Sequence, residues 1–432
     1  MRIQGDNSEI KQALKGSVAN TLKDNRKQKM AKETFKIVCQ HVWKVFGPDP
    51  QSIVNMDGNN ISKEKVLEET GHIIAVKDVS LEIAENEIFV VMGLSGSGKS
   101  TLVRCINRLI EPTTGTILVD GADIARLPEK ELRELRRHKM SMVFQNFGLL
   151  PHRSVHDNVA FSLEIRGEHG KPREQKVNQA LELVGLKGWE KSRIFELSGG
   201  MQQRVGLARA LAAESEIILM DEPFSALDPL IRRQMQDEFL NLRRTVMKTV
   251  VFITHDLLEA LKLGDRIAIM KDGEIVQIGT PQEIVSQPAD DYVSEFVKDV
   301  PRGQVIAVEN IIEKPPVTIK GEQSLKEAIK RMKKKQANAA FIVDAEGRLK
   351  GVLTLEQAEA ALKEGIEEVK AAAQQEYLTA PPNATLEQCL PLVADDDISL
   401  AIIDKEEHLL GVVTRQAIIQ AMQSDNGSKN EG

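Results

Sequence analysis

"IFVVMGLSGSGKST", Ile88 to Thr101, is an apolar run that breaks into a glycine-rich turn and then into a helical pattern, "TLVRCINRLI". It contains G-x-x-x-x-G-K-S from Gly93 to Ser100. Strand, glycine loop and helix in that order are the setting a phosphate-binding loop requires. Glycines let the backbone turn tightly and approach a ligand, and main-chain N–H groups at the helix start face the anion. On this reading Gly93, Leu94, Ser95, Gly96, Ser97, Gly98, Lys99, Ser100 and Thr101 cradle nucleotide phosphates. Lys99 reaches the β- and γ-phosphates, and the Ser100 hydroxyl binds Mg²⁺.

Working outward, three more apolar runs end in chemistry. "IILMDEP", residues 217–223, delivers adjacent carboxylates. Asp221 suits Mg²⁺ or its water, and Glu222 suits a general base for attacking water. "TVVFITHD", residues 249–256, carries His255 at its tip, the one histidine of eight placed at the end of so apolar a strand. Gln145 follows the run in "MSMVFQNFG", where its amide can meet Mg²⁺ or the water. From Ile88 to about Pro288 strands and helices alternate, which implies a parallel sheet with crossover helices.

Composition bounds the rest. The chain has 432 residues, 28% of them charged and 41% hydrophobic, enough for two or three globular domains. A net charge of -7 argues against general nucleic-acid binding. Cys39, Cys105 and Cys389 are scattered without a C-x-x-C pair, so neither a disulfide framework nor a zinc site is expected. No run of 18 or more apolar residues offers a membrane span. Residues 1–33 read as a disordered basic N-terminal extension, too poor in apolar side chains to offset the entropy of ordering.

Residues 34–46 read as an opening strand and residues 75–92 as further strands. Between them "GPDPQSIVNMDGNNISKEKVLEETG" begins as turns and becomes helical around "SKEKVLEE". Beyond residue 300 the chain repeats: "AAFIVDAEGRLKGVLTLEQAEAAL" from Ala339 and "SLAIIDKEEHLLGVVTRQAIIQAM" from Ser399. Asp344 and Gly351 align with Asp404 and Gly411 at one offset of 60 residues. Each copy reads as strand, turn, strand, helix, preceded by another helix, and the two close a core by pairing.

The order of motifs, P-loop, "FQ", "LSGGMQQR", "LMDEP", "SALD", "THD", resembles the nucleotide-binding subunit of ABC transporters over residues 34–300. The insert, "GLSGSGKSTLVRCINRLIEPTTG", "FSALDPLIRRQMQDE" and the C-terminal repeat resemble the glycine betaine/proline betaine, or quaternary amine, importers. The repeats resemble tandem CBS domains, one over residues 301–367 and one over 368–432 with a short polar tail.

The resemblance implies an α/β P-loop NTPase of ABC type: a mixed-sheet core, an antiparallel β subdomain and an α-helical signature subdomain, followed by the CBS pair. It implies ATP and Mg²⁺ as cofactors, with Ser100, Gln145 and Asp221 at the metal. Ser198, Gly199 and Gly200 would bind the γ-phosphate held by a second copy, Asp228 would lie at the dimer seam, and His255 would be a switch histidine. Phe46 would stack on adenine. The implied partners are a second copy, membrane permease subunits and a solute-binding protein or domain, with the chain peripheral on the cytoplasmic face. The CBS pair would regulate, through an adenine nucleotide or cyclic dinucleotide.

Two basic clusters, "RELRRHK" (Arg133 to Lys139) and "KRMKKK" (Lys330 to Lys335), read as solvated helix faces or as contacts to anionic lipid. The competing class is a soluble ABC-type ATPase acting on nucleic acid or ribosomes. It would call for two nucleotide domains or a long coiled-coil insertion, and neither is present in the sequence.

Overall fold

The computed structural model describes residues 35–55, 62–375, 377–393 and 399–423. The basic extension expected over residues 1–33 and the polar tail from residue 424 lie outside them. The chain divides into two compact units, the first ending at Ile278 and the second starting at Gly279.

In the first unit, five strands run parallel side by side: Arg266–Lys271, Ile88–Met92, Thr249–Thr254, Ile217–Asp221 and Met140–Val143. Glu274–Gly279 adds the sixth at one edge. Helices cover such a sheet on both faces, so its central strands are buried at every position and read as near-continuous apolar runs rather than alternating ones. Ile88–Met92 and Thr249–Thr254 are buried throughout. The register sets Met92 beside Thr254, Asp221 beside Ile253 and Val143 beside Met220. Four neighbouring strands therefore end together, and the loops that follow them emerge at one edge, where open α/β sheets bind ligands.

A second, antiparallel sheet joins Ile73–Ala84, Phe35–Phe46, Thr114–Val119 and Ala122–Asp123 in that order. Its inward residues Ile37, Val76, Ile83 and Ile117 share one core with Leu102, Val103 and Ile106 of the helix Lys99–Ile106 and with Val91 and Leu219 of the parallel sheet. A charge cluster fastens the sheets at the other end of that first strand. Lys36 Nζ pairs with Asp120 at 2.7 Å and with Glu216, and Asp120 also pairs with Lys139. Burial opposes the Lys36 charge, yet the hydrogen bonds to Asp120 and Glu216 hold its ammonium above the usual lysine range.

The helix expected in the insert is present as Lys63–Thr70. Ser62 caps its start by accepting from Lys65 N, and Gly71 ends it at φ 71°, a left-handed turn suited to glycine. A short helix Pro50–Asn55 precedes it. Ile53 and Val66 pack with Trp43, Val45 and Ile74 in a small satellite core.

Helices Val155–Ile165, Gly170–Leu183 and Gly199–Ala212 make a third layer. Val159, Ala160, Leu163, Leu181, Val205 and Ala208 form its buried sides. The three cysteines are free and buried, and burial pushes the Cys39 and Cys105 thiols up to about 12. Among the described residues no helix is long and apolar enough to cross a membrane.

The second unit contains the repeat, each copy a three-stranded sheet. Thr318–Lys320, Ala339–Val343 and Leu349–Thr354 form one; Thr379–Ala380, Leu400–Ile403 and Leu409–Val413 form the other. Helices Leu325–Lys335 and Leu355–Lys363 flank the first sheet. In the second copy the leading helix Leu386–Cys389 gives way to a 3₁₀ turn, Leu390–Val393, at Pro391, whose missing N–H breaks the ladder. The copies join through Leu349 N–H to Glu407 O at 2.9 Å and Leu409 N–H to Gly347 O at 3.1 Å. Phe341, Leu349 and Val352 share a core with Ala401 and Val412.

The segments leading into each copy are exchanged. Ile306 and Val308, which precede the first repeat, are buried in the core of the second. Val369, which precedes the second, is buried in the core of the first. The aligned glycines mark where these segments cross. A Cβ on Gly411 would lie 2.2 Å from Ile312 Cγ2, and one on Gly351 would lie 3.0 Å from Gln374 O. The aligned aspartates shape the turns: Asp344 Oδ1 accepts from Glu346 N and Arg348 N, and Asp404 Oδ1 accepts from Glu406 N and His408 N.

Candidate nucleotide-binding site

The Gly93–Ser100 loop leaves the strand Ile88–Met92 and enters the helix Lys99–Ile106. Its glycines are sterically required. A Cβ on Gly93 would meet Met270 O at 2.2 Å, and Gly98, at φ 102°, would place one 2.0 Å from Ala75 O. Lys99 Nζ donates to the main-chain oxygens of Gly93 at 2.8 Å and Leu94 at 2.9 Å, so the lysine is folded over its own loop. Burial holds its ammonium below the usual lysine range, with Glu222 and Asp221 pulling the other way. Ser97 Oγ is buried without a hydrogen-bond partner among the described residues.

Next to the loop, Ser100 Oγ donates to Asp221 Oδ1 at 2.7 Å, and Arg104 Nη2 reaches Asp221 Oδ2 at 3.3 Å. A hydroxyl beside a carboxylate is an oxygen donor set of the kind Mg²⁺ takes. Asp221 is the last residue of its strand and Glu222 the first beyond it. Glu222 sits at φ 46° with its N–H donating to Ile253 O, which turns its side chain out of the sheet's own alternation. Its Oε2 accepts from Gln145 Nε2 at 3.2 Å and lies 3.2 Å from His255 Nδ1. Because a carboxylate only accepts, Nδ1 carries the proton in that contact. Gln145, Glu222 and His255, at the ends of three neighbouring strands, thus converge on one oxygen.

A cleft of about 490 Å³ opens here, lined by Ser95, Gly96, Gly98, Lys99, Ser100, Thr101, Gln145 and Glu222. Its remaining wall is Lys63, Glu64, Leu67, Ile73, Ile74 and Ala75. Phe46 is not part of the lining; it is 40% exposed and carries Lys44 Nζ 4.9 Å from its ring centroid.

Ser198, Gly199 and Gly200 are also absent from the lining. Ser198 caps the helix Gly199–Ala212 by accepting from Met201 N at 3.3 Å. Asp228 caps Pro229–Thr245 by accepting from Leu230 N and Ile231 N at 3.1 Å. The two helix starts pack together, since a Cβ on Gly200 would lie 2.7 Å from Ile231 Cγ2. The chain therefore holds a phosphate-type loop and, away from that cleft, a capped helix start carrying the glycine pair.

Three features of the site belong to no sequence motif. The insert wall at Lys63, Glu64 and Leu67 was legible as one helical face, since those positions recur at three and four residues. Arg104 on Asp221 gave no local signal. Nor did Arg209, which donates to Gly148 O at 2.7 Å and Phe147 O at 3.3 Å and so supports the loop after Gln145.

A family model described as ABC transporter matches residues 76–225, and one described as CBS domain matches residues 308–364 and 367–424. The glycine betaine transport ATP-binding protein OpuAA of Bacillus subtilis is 45% identical over 91% of this chain and 93% of its own. The glycine betaine/proline betaine transport system ATP-binding protein ProV of Salmonella typhimurium is 43% identical over 91% and 99%. Among solved structures, cbiO1 from Clostridium perfringens, part of the ABC transporter complex cbiONQ, matches 62% of this chain and 97% of its own. It does so with a TM-score of 0.50 at 22% identity, a likeness of fold. With relatives this similar over nine-tenths of its length, the chain belongs to the ABC transporter family, among the ATP-binding proteins of glycine betaine transport, and itself carries a tandem CBS pair.

Proposed function

We propose that this chain hydrolyses ATP between two copies of itself and so powers import of glycine betaine, proline betaine or a related quaternary amine through separate permease subunits. The observation that carries the reading is the Glu222 carboxylate, oriented by Gln145 and His255 beside the glycine loop. The substrate class rests on the relatives, whose names specify glycine betaine and proline betaine transport.

In this mechanism the Gly93–Ser100 main chain and Lys99 hold the phosphates. Glu222 takes the proton from the attacking water as the water oxygen bonds to the γ-phosphorus. The bond from that phosphorus to the β–γ bridging oxygen breaks, so that ADP leaves with the bridging oxygen. Gln145 and His255 keep the carboxylate aimed. Ser100, Asp221 and Gln145 would hold Mg²⁺, which neutralises phosphate charge when bound. Ser198, Gly199 and Gly200 of one copy would cap the γ-phosphate on the other, with Asp228 at the seam. Closing on ATP and reopening after hydrolysis then drive the permease, and a solute-binding protein or domain delivers the amine. The chain sits peripherally on the cytoplasmic face of the membrane through the permease.

The CBS pair regulates rather than catalyses, with an adenine nucleotide or cyclic dinucleotide as ligand. Contact with anionic lipid narrows to the second basic cluster. In the first, Arg133 and Arg137 pair with Glu129 and Glu134, Arg136 with the Asn107 and Arg108 carbonyls, and Lys139 with Asp120. In the second, Lys333 pairs with Glu359 and Arg331 with Thr318 O, which among the described residues leaves Lys330, Lys334 and Lys335 for headgroups.

Reconstitution with the permease in liposomes tests the whole. ATP-dependent uptake and solute-stimulated hydrolysis are expected with at least one quaternary amine. Hydrolysis indifferent to every such amine, without uptake, would overturn the transport reading while leaving the ATPase.

A further inference from the structure

Ser100 and Arg104 stand one turn apart on the helix Lys99–Ile106, so their side chains share a face. That face meets the end of the strand Ile217–Asp221, and the two residues divide one carboxylate between them. Ser100 Oγ donates to Asp221 Oδ1 at 2.7 Å, and Arg104 Nη2 donates to Oδ2 at 3.3 Å. Lys99, the cation of the glycine loop, donates instead to the Gly93 and Leu94 carbonyls.

The ion pair is lopsided. The Asp221 side chain is 4% exposed and ends a strand buried throughout, whereas the Arg104 side chain is 46% exposed. A carboxylate so buried is unfavourable without a compensating positive charge. A half-solvated guanidinium on a long stem, by contrast, is held weakly and leaves easily. The pair therefore comes apart by movement of Arg104 alone, with Asp221 and Ser100 staying in place. Those two residues are also the oxygen donors suited to Mg²⁺, and a divalent cation held by them supplies the charge that Arg104 otherwise provides. Arg104 is not among the residues lining the cleft, so its route to the nucleotide runs through Asp221.

We propose that Arg104 is a positioning residue, the counter-ion that neutralises Asp221 until a divalent cation binds and then gives way to it. It thereby sets how strongly nucleotide affinity depends on Mg²⁺. This rests on the reading that Ser100 and Asp221 hold Mg²⁺.

The test is equilibrium dialysis of the full chain with ADP, which does not turn over, once in EDTA and once with saturating Mg²⁺. The ratio of the two dissociation constants is the strengthening that the cation brings. Arg104→Met keeps an apolar stem and removes the charge, so the ratio should rise about three- to ten-fold above wild type, the scale of a charged hydrogen bond weakened by solvent. Arg104→Lys keeps the charge and should stay within about two-fold. Thermal melts of the same chains separate this role from lost packing. Arg104→Met should melt below wild type in EDTA, and the deficit should narrow with Mg²⁺-ADP, because the variant gains more from binding. An unchanged or smaller ratio in Arg104→Met overturns the proposal, as does a melting deficit equal in both conditions. Equal ADP affinity with and without Mg²⁺ in the wild-type chain overturns it together with the reading of a metal at Ser100 and Asp221.

Discussion

Glu222 Oε2 lies 3.2 Å from His255 Nδ1, a contact made across the ends of two adjacent parallel strands. Glu222→Gln keeps the side chain's size and removes its basicity. Hydrolysis should fall about 10²–10⁴-fold, roughly 3–5 kcal/mol of barrier, in single-turnover assays. ATP affinity, measured by dialysis in parallel, should stay near wild type. Wild-type turnover in this variant would remove Glu222 as the base.

Lys99 and Gly98 test the loop in different ways. Lys99→Ala deletes charge-assisted hydrogen bonds worth about 1.5–3 kcal/mol each, so ATP should bind about ten- to a hundred-fold more weakly. Gly98→Ala puts a methyl group 2.0 Å from Ala75 O at φ 102°, so the loop itself must move. Tripolyphosphate and ATP affinity should fall together in that variant.

The Lys36 cluster makes a prediction about pH. Hydrogen bonds to Lys139 and Lys36 hold the Asp120 carboxyl below its usual range although its burial pushes the other way. Stability from a depressed carboxyl is present above its unfolded pKa and lost as pH falls through the folded one. Stability from the raised Lys36 is lost only as pH rises through the lysine's folded value. Lys36→Met should therefore cost about 2 kcal/mol near neutrality, and the difference should shrink in acid and in strong alkali. Urea melts from pH 3 to 11 would read it; a deficit independent of pH would contradict it.

The exchanged segments predict a remote effect in the repeat pair. Val308 is fully buried in the second repeat's core, so Val308→Ala should cost about 2 kcal/mol. Amide exchange should speed up in Leu400–Ile403 and Leu409–Val413. The strand Ala339–Val343, nearer in sequence, should be less affected. The reverse pattern would mean that each segment supports its own repeat.

What the sequence made legible is what lies within one stretch of chain. Gly93 to Ser100, Asp221 with Glu222, and His255 each stand at the end of a buried, largely apolar strand, and the parallel register brings them together. The repeat was legible too, through Gly351 and Gly411. Its exchanged segments were not, because nothing in Val308 says which of two similar cores it enters. Leu67 was legible as part of one helical face with Lys63 and Glu64, but only the path of the insert sets that face, and Ile73 beside it, on the cleft. Arg136 looked like surface charge until its guanidinium met the Asn107 and Arg108 carbonyls at 2.8 and 2.6 Å.

The central claim is that Ser198, Gly199 and Gly200 complete the phosphate site of a second copy. Among the described residues a Cβ on Gly199 would meet Leu227 Cδ2 at 3.6 Å and Phe147 Cζ at 4.0 Å, ordinary van der Waals contact. Gly199→Asp is therefore expected to fold within one copy, which thermal melts of the variant check. Sedimentation of the Glu222→Gln chain with Mg²⁺-ATP should give twice the monomer mass, reverting to monomer with ADP. Adding Gly199→Asp should abolish the dimer without loss of ATP binding. A monomer under saturating ATP, or a dimer indifferent to Gly199→Asp, would contradict the account.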